Sequence, residues 1–139
     1  MPIYLSTVEE NRSTEPQRAK IAQCITEVHV DVTGAPIQFV NAFFNEQADR
    51  EAGFSALPVG KIIHINGNIR SGRSERAKAD MIRRITQGTV DALGCDWDEV
   101  SVKLHTGDAS HGMEGGQILP APGSPEEEAW KQIGQIQRK

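Results

Sequence analysis

A chain of 139 residues, 37% hydrophobic and 24% charged, suits one compact domain that buries a core without disulfide staples. Its formal net charge of −4 excludes nonspecific nucleic-acid or membrane-surface binding, which needs a basic face, and 5% aromatic content excludes a stacking platform for single-stranded nucleic acid. No apolar run approaches the roughly 20 residues of a membrane span, the opening MPIYLSTVEENR lacks a signal-peptide layout, and Cys24 and Cys95 without a CxxC fit a reduced, cytoplasmic setting.

Residues 2–8 (PIYLSTV) read as a strand rich in β-branched and aromatic residues. Thr14 offers a helix N-cap, with Gln17 three residues on as in a capping box and Pro16 in the first turn. Ala22, Ile25, Val28, His29 and Val32 then recur at helical spacing, and Gly34 followed by Pro36 ends the run. Residues 37–45 (IQFVNAFFN) read as a second strand, which completes a right-handed βαβ unit.

The same order returns in the second half. Residues 61–69 (KIIHINGNI) predict a strand and Ser74 an N-cap. Met81, Ile82, Ile85, Thr89, Ala92 and Leu93 form a helical stripe closed by Gly94, and residues 99–104 (EVSVKL) predict the fourth strand. Ile25-Thr26 and Ile85-Thr86 stand at the same distance from Gly34 and Gly94, and Thr14-Glu15 falls on Ser74-Glu75. The expected fold is therefore α+β: a tandem βαβ repeat, over about residues 2–45 and 61–105, in one four-stranded sheet with both helices on one face. Tyr4, Phe43 and Val102 are expected on the bare sheet face, where another subunit would cover them. Residues 46–60 read as a loop between the units, and residues 106–139 as a tail. Its 106–124 stretch is glycine-rich. In 125–139, Trp130, Ile133 and Ile136 have loose helical spacing and would pack on a neighbour or on the same domain.

Several residues could carry chemistry. Initiator Met is usually removed before a small residue, which would make Pro2 a secondary amine titrating at roughly 7.7–8.0 before perturbation. Burial or nearby cations would lower that value and make a base; carboxylates would raise it and make an acid. If Met1 stays, Pro2 is an amide. Arg70 and Arg73, in the run from a strand exit to a helix start, suit a carboxylate; the plainer alternative is two solvated arginines, or one paired with Glu75. His29 is either a core histidine or, near the C-terminal end of its helix, a cation facing an anionic substrate. Glu114, between glycines, could serve as a base toward water or be a solvated loop residue. His64, His105 and His111 make no ligand pattern, so no metal is expected. No nucleotide-binding glycine loop and no GxSxG is present, and Glu126, Glu127 and Glu128 read as a solvated helix start.

Met1-Pro2, the segment 22–34 (AQCITEVHVDVTG), the run 69–74 (IRSGRS) and the stretch 114–123 (EGGQILPAPG) together resemble the tautomerase superfamily, and within it the cis-3-chloroacrylic acid dehalogenase-like group. The resemblance implies a pair of βαβ units assembled as a homotrimer through the sheets, without a cofactor. It implies that Pro2 is the catalytic amine, that Arg70 and Arg73 hold a substrate carboxylate with His29 as a further contact, and that Glu114 activates water. The dehalogenases of the group carry a tyrosine on the last core strand where this chain has Lys103. A charged lysine accepts no hydrogen bond and adds a cation, so it is a possible water or substrate contact of a different kind. That substitution disfavours dehalogenation and favours a basic Pro2. The leading expectation is a proline-based tautomerase of small unsaturated or enol carboxylates. The alternatives are a cofactor-independent hydratase or dehalogenase of 3-haloacrylates, a non-catalytic trimeric binding module, and a plain α/β domain with chance matches.

Overall fold

The computed structural model describes residues 2–47, 57–114 and 116–137. Most of the predicted inter-unit loop, and Met1, lie outside the described residues. The first unit runs from β1 (Ile3–Glu9) through α1 (Glu15–Thr33) to β2 (Asn41–Gln47). The second runs from β3 (Ile63–Arg70) through α2 (Glu75–Leu93) to β4 (Val100–Gly107). β1 and β3, and α1 and α2, begin sixty positions apart.

Local hydrogen bonds set the helix ends. Thr14 Oγ1 accepts the Gln17 N–H at 3.3 Å, and Gln17 Oε1 accepts the Thr14 N–H at 2.8 Å, a closed capping box worth about 1 kcal/mol. Ser74 Oγ accepts the Ala77 N–H at 3.0 Å. Gly34 and Gly94 end the helices at φ of 71° and 64°, a left-handed conformation that a side chain would strain.

The sheet order is β2-β1-β3-β4, parallel within each unit and antiparallel where β1 meets β3. Both helices pack on one face, as expected. Ile21, Ile25 and Val28 of α1 and Met81 and Ile85 of α2 meet Tyr4, Val8, Ile63 and Ile65 in one core. Ile21 is fully buried although it lies outside the predicted stripe, while Ile82 inside the stripe is only half-buried. The helices touch at Gly88, where a Cβ would lie 2.2 Å from Cys24 Sγ. That close approach gives a physical reason for a glycine inside a helix, where it costs about 1 kcal/mol of propensity relative to alanine.

The structure corrects two expectations of the fold and decides an open one. Tyr4 is fully buried on the helix side, opposite Gly67, where a Cβ would come 2.5 Å from the ring. Val102 also faces the helices and packs against the core. Phe43 is on the open face as expected, and there it is joined by Ile3 and Leu5, with Leu5 its cross-strand partner. Period-two alternation does not say which parity is covered, and choosing the wrong one turns every side chain over. Next, Pro36 opens a 3-10 turn (Ile37–Phe39), with the Phe39 N–H on the Pro36 carbonyl at 3.0 Å, so β2 starts at Asn41 rather than at residue 37. A matching turn (Trp97–Glu99) precedes β4. Finally, the tail forms α3 (Pro125–Gln137), whose Trp130 stacks on Phe39 at 4.2 Å between ring centroids. Of the two places open to the tail, Trp130 takes the same domain; the side chains of Ile133 and Ile136 lie outside the described residues.

Candidate active site

One end of the sheet collects the start of β1, the end of β3, the last turns of α1 and the first turn of α2. The register pairs Ile3 with Asn68, so buried Pro2 comes beside the Ile69-Arg70 step. The Pro2 carbonyl accepts the Asn41 N–H at 3.1 Å, which ties it to the head of β2.

His29 reaches this end from α1 and is only 3% exposed. Its Nδ1 lies 2.8 Å from the Tyr4 hydroxyl, and the two rings meet edge to face. Burial, then the charges of Arg73, Arg70 and the amino terminus, lower its pKa to about 4. Of the two readings of His29, this favours the core histidine over the cation: desolvation and two guanidiniums outweigh the pull of the helix dipole. Burial likewise pushes the Tyr4 phenol well above its ordinary value, so it stays protonated.

Arg70, at the end of β3, is 8% exposed. Its Nη1 donates to the Pro120 carbonyl at 2.6 Å, its Nη2 lies 2.8 Å from Glu127 Oε2, and the guanidinium stacks 4.6 Å from the Trp130 ring centroid. Glu75 pairs with Lys78 instead. Arg73 is half-buried, with Nη1 3.4 Å from the Thr33 carbonyl at the end of α1. Burial and the neighbouring Arg70 lower its pKa, while Glu127 works the other way.

Glu127 is the largest departure from the solvated helix start expected at 126–128. Glu126 and Glu128 are exposed, but Glu127 is 8% exposed, and its Oε1 accepts the Gly123 N–H at 3.3 Å. Burial pushes its carboxyl up. Hydrogen bonds from Arg70 and Gly123, with the charges of Arg70 and Lys131, more than offset this and hold it below the ordinary carboxylate value. The available signal was spacing: Glu127, Trp130 and Lys131 share one face of α3.

The glycine-rich stretch forms a hairpin of β5 (Met113–Glu114) and β6 (Gln117–Ile118). The Leu119 N–H returns to the Gly112 carbonyl at 2.9 Å, and Pro122 abuts Gly72 in the β3–α2 turn. Glu114 sits half-buried in this hairpin, one short segment from the Pro120 carbonyl that holds Arg70. A cavity of about 270 Å³ opens beside Arg70, lined by Asn68, His105, Asp108, His111 and Leu119. Lys103 lies on the open sheet face opposite Asn66, away from the face that carries Tyr4 and His29. There, burial, Lys103 and His105 lower the pKa of His64, whose Nδ1 lies 3.0 Å from Ser101 Oγ. Among the described residues, no three His, Cys, Asp or Glu side chains gather as a metal site, and no helix is long and apolar enough to cross a membrane.

The family model described as "Putative oxalocrotonate tautomerase enzyme" matches residues 1–135. The chain belongs to the tautomerase superfamily. Within the superfamily it falls in the cis-3-chloroacrylic acid dehalogenase-like group. It is similar to the solved structure of N1, a member of the cis-3-chloroacrylic acid dehalogenase family. The two are 28% identical with a TM-score of 0.79, over 96% of this chain and 99% of that one. It is 38% identical over 55 residues to "Probable tautomerase bsl7456" of Bradyrhizobium diazoefficiens, a match covering 40% of this chain and 82% of that protein. A fused 4-OT solved as a symmetric trimer shares the tautomerase fold at a TM-score of 0.71 and 19% identity, over 84% of this chain and 94% of that one.

Proposed function

We propose that this tautomerase-superfamily protein is a proline-based tautomerase of small enol or unsaturated carboxylates, working as a homotrimer without a cofactor. The carrying observation is the convergence of Pro2, His29, Arg70 and Arg73 at one end of the sheet. Removal of Met1 leaves Pro2 as a secondary amine. Burial and two guanidiniums disfavour its protonated form, so it acts as a base near neutrality. Arg73, with the field of Arg70 behind it, holds the substrate carboxylate. Tyr4 donates its hydroxyl hydrogen to Nδ1 of neutral His29, which places the remaining ring hydrogen on Nε2, ready to donate to substrate oxygen.

In the reaction, the Pro2 nitrogen takes the enol hydroxyl proton. The C=C electron pair then takes that proton back at carbon as the oxygen closes to C=O. No water is consumed. The open-face residues Ile3, Leu5 and Phe43 support the trimer, since apolar sheet surface of this kind is buried by packing against a neighbour. The fused 4-OT, with the same fold, is itself a trimer.

A second reading is hydration or dehalogenation of 3-haloacrylates. Half-buried Glu114 and the resemblance to a dehalogenase-family structure favour it. There Glu114 would take a proton from water as it attacks C3 and cationic Pro2 would protonate C2; a 3-halo adduct then loses halide. A pH–rate profile on an enol carboxylate and on a 3-haloacrylate tests both readings, with intact mass to establish Met1 removal. Activity on the enol that rises with pH through one ionisation fits the base; activity that falls with pH fits the acid. Retention of Met1 in an active preparation ends the proline mechanism.

A further inference from the structure

We infer that Glu127 is an internal counter-anion that sets the charge of the anion site and so selects substrates with one carboxylate over those with two. The inference rests on the anion-site reading above and names a residue that reading does not use. Arg70 has its charge and two of its donors committed within the chain: one nitrogen to the Pro120 carbonyl, another to the Glu127 carboxylate at 2.8 Å, and its face to Trp130. Among the described residues, Arg73 meets only the Thr33 backbone carbonyl, at 3.4 Å. It is the less committed of the two guanidiniums, with more of its donors left for a ligand.

The charge count agrees. Arg70, Arg73 and Lys131 are positive; Glu127 and Glu128 are negative, with Lys131 3.6 Å from Glu127 and 3.7 Å from Glu128. His29 is neutral. Apart from the terminal amine and Glu114 of the adjoining hairpin, these five side chains carry a net charge of +1, which one carboxylate neutralises. A second carboxylate would bring an unpaired negative charge beside Glu127, where the surroundings are largely desolvated and like charges repel strongly. Glu127 is anchored twice, by Arg70 and by the Gly123 N–H, so it does not swing aside for a ligand without losing both contacts.

The test uses calorimetric binding of acrylate and fumarate to the full chain. Wild type is expected to bind acrylate about tenfold more tightly than fumarate. Glu127→Gln adds one positive charge to the site. A dianion feels twice the field of a monoanion, so about threefold tighter acrylate binding should come with about tenfold tighter fumarate binding. Lys131→Gln, a change at the edge of the cluster, should shift the ratio the opposite way and serves if Glu127→Gln does not fold. A wild-type preference for fumarate, or variants that shift both ligands by the same factor, overturns the role of Glu127 alone. Acrylate binding that is absent, or that survives Arg73→Ala unchanged, overturns the anion-site reading and this inference with it.

Discussion

The guanidinium of Arg70 is held by the carboxylate of Glu127 at 2.8 Å, both side chains buried, one ending a core strand and the other opening the last helix. The contact closes α3 over the end of the sheet and separates the roles of two arginines that stand three residues apart. Arg70 is tied into the architecture by Pro120, Glu127 and Trp130, and Arg73 is held by one backbone carbonyl.

Alanine substitution should therefore split the pair. Arg70→Ala leaves buried Glu127 with only Lys131 at 3.6 Å and the Gly123 N–H, and should cost about 3 kcal/mol of stability, read as a lowered midpoint in denaturant. Arg73→Ala should leave the midpoint within about 1 kcal/mol and raise KM about 30-fold or more, the loss of a charge-assisted contact. Equal loss of stability in both variants would contradict this division.

Stability should fall in mild acid because of His29. Its folded pKa of about 4 lies below the ordinary 6.5, so the unfolded chain binds a proton first as the pH drops. The contribution is complete above pH 6.5 and is lost between there and pH 4, about 3 kcal/mol in all. His29→Gln should flatten that part of the pH–stability curve, measured by urea titration at a series of pH values. A curve of unchanged slope would contradict the neutral, buried imidazole.

The helix contact at Gly88 predicts a compensating pair. Gly88→Ala places a methyl 2.2 Å from Cys24 Sγ and should cost about 1–3 kcal/mol net of the better helix propensity. Removing the sulfur as well, in Cys24→Ala with Gly88→Ala, should recover most of that loss. A double-mutant cycle on melting temperature checks the coupling, and simple additivity would show that the helices separate freely.

Pro2 and Glu114 should divide the two candidate activities. Pro2→Ala should lower the tautomerisation rate by about 10²–10⁴-fold, the usual span of a general base, with the fold intact by circular dichroism. Glu114→Gln should abolish hydration of a 3-haloacrylate and spare tautomerisation. Parallel loss of both activities in Glu114→Gln would end that division.

What the sequence by itself determined is whatever depends on neighbours along the chain. The capping box at Thr14 and Gln17, the cap at Ser74, the left-handed glycines 34 and 94 and the two apolar helical stripes follow from hydrogen bonds and periodicity within a few residues. The repeat is visible because both halves use these devices in one order, and the proximity of Arg70 and Arg73 follows from the short turn between β3 and α2. The family motifs add candidate roles to those positions.

Tertiary structure decided the rest, because burial and fields are sums over distant parts of the chain. Whether Tyr4 or Leu5 turns inward depends on which face the helices cover, and alternation is silent on that. The neutrality of His29 arises from desolvation and two guanidiniums some forty residues away in sequence. Spacing puts Glu127 on the Trp130 face of α3, apart from Glu126 and Glu128, but not against Arg70. It becomes a buried ion only when α3 folds back and makes that long-range contact.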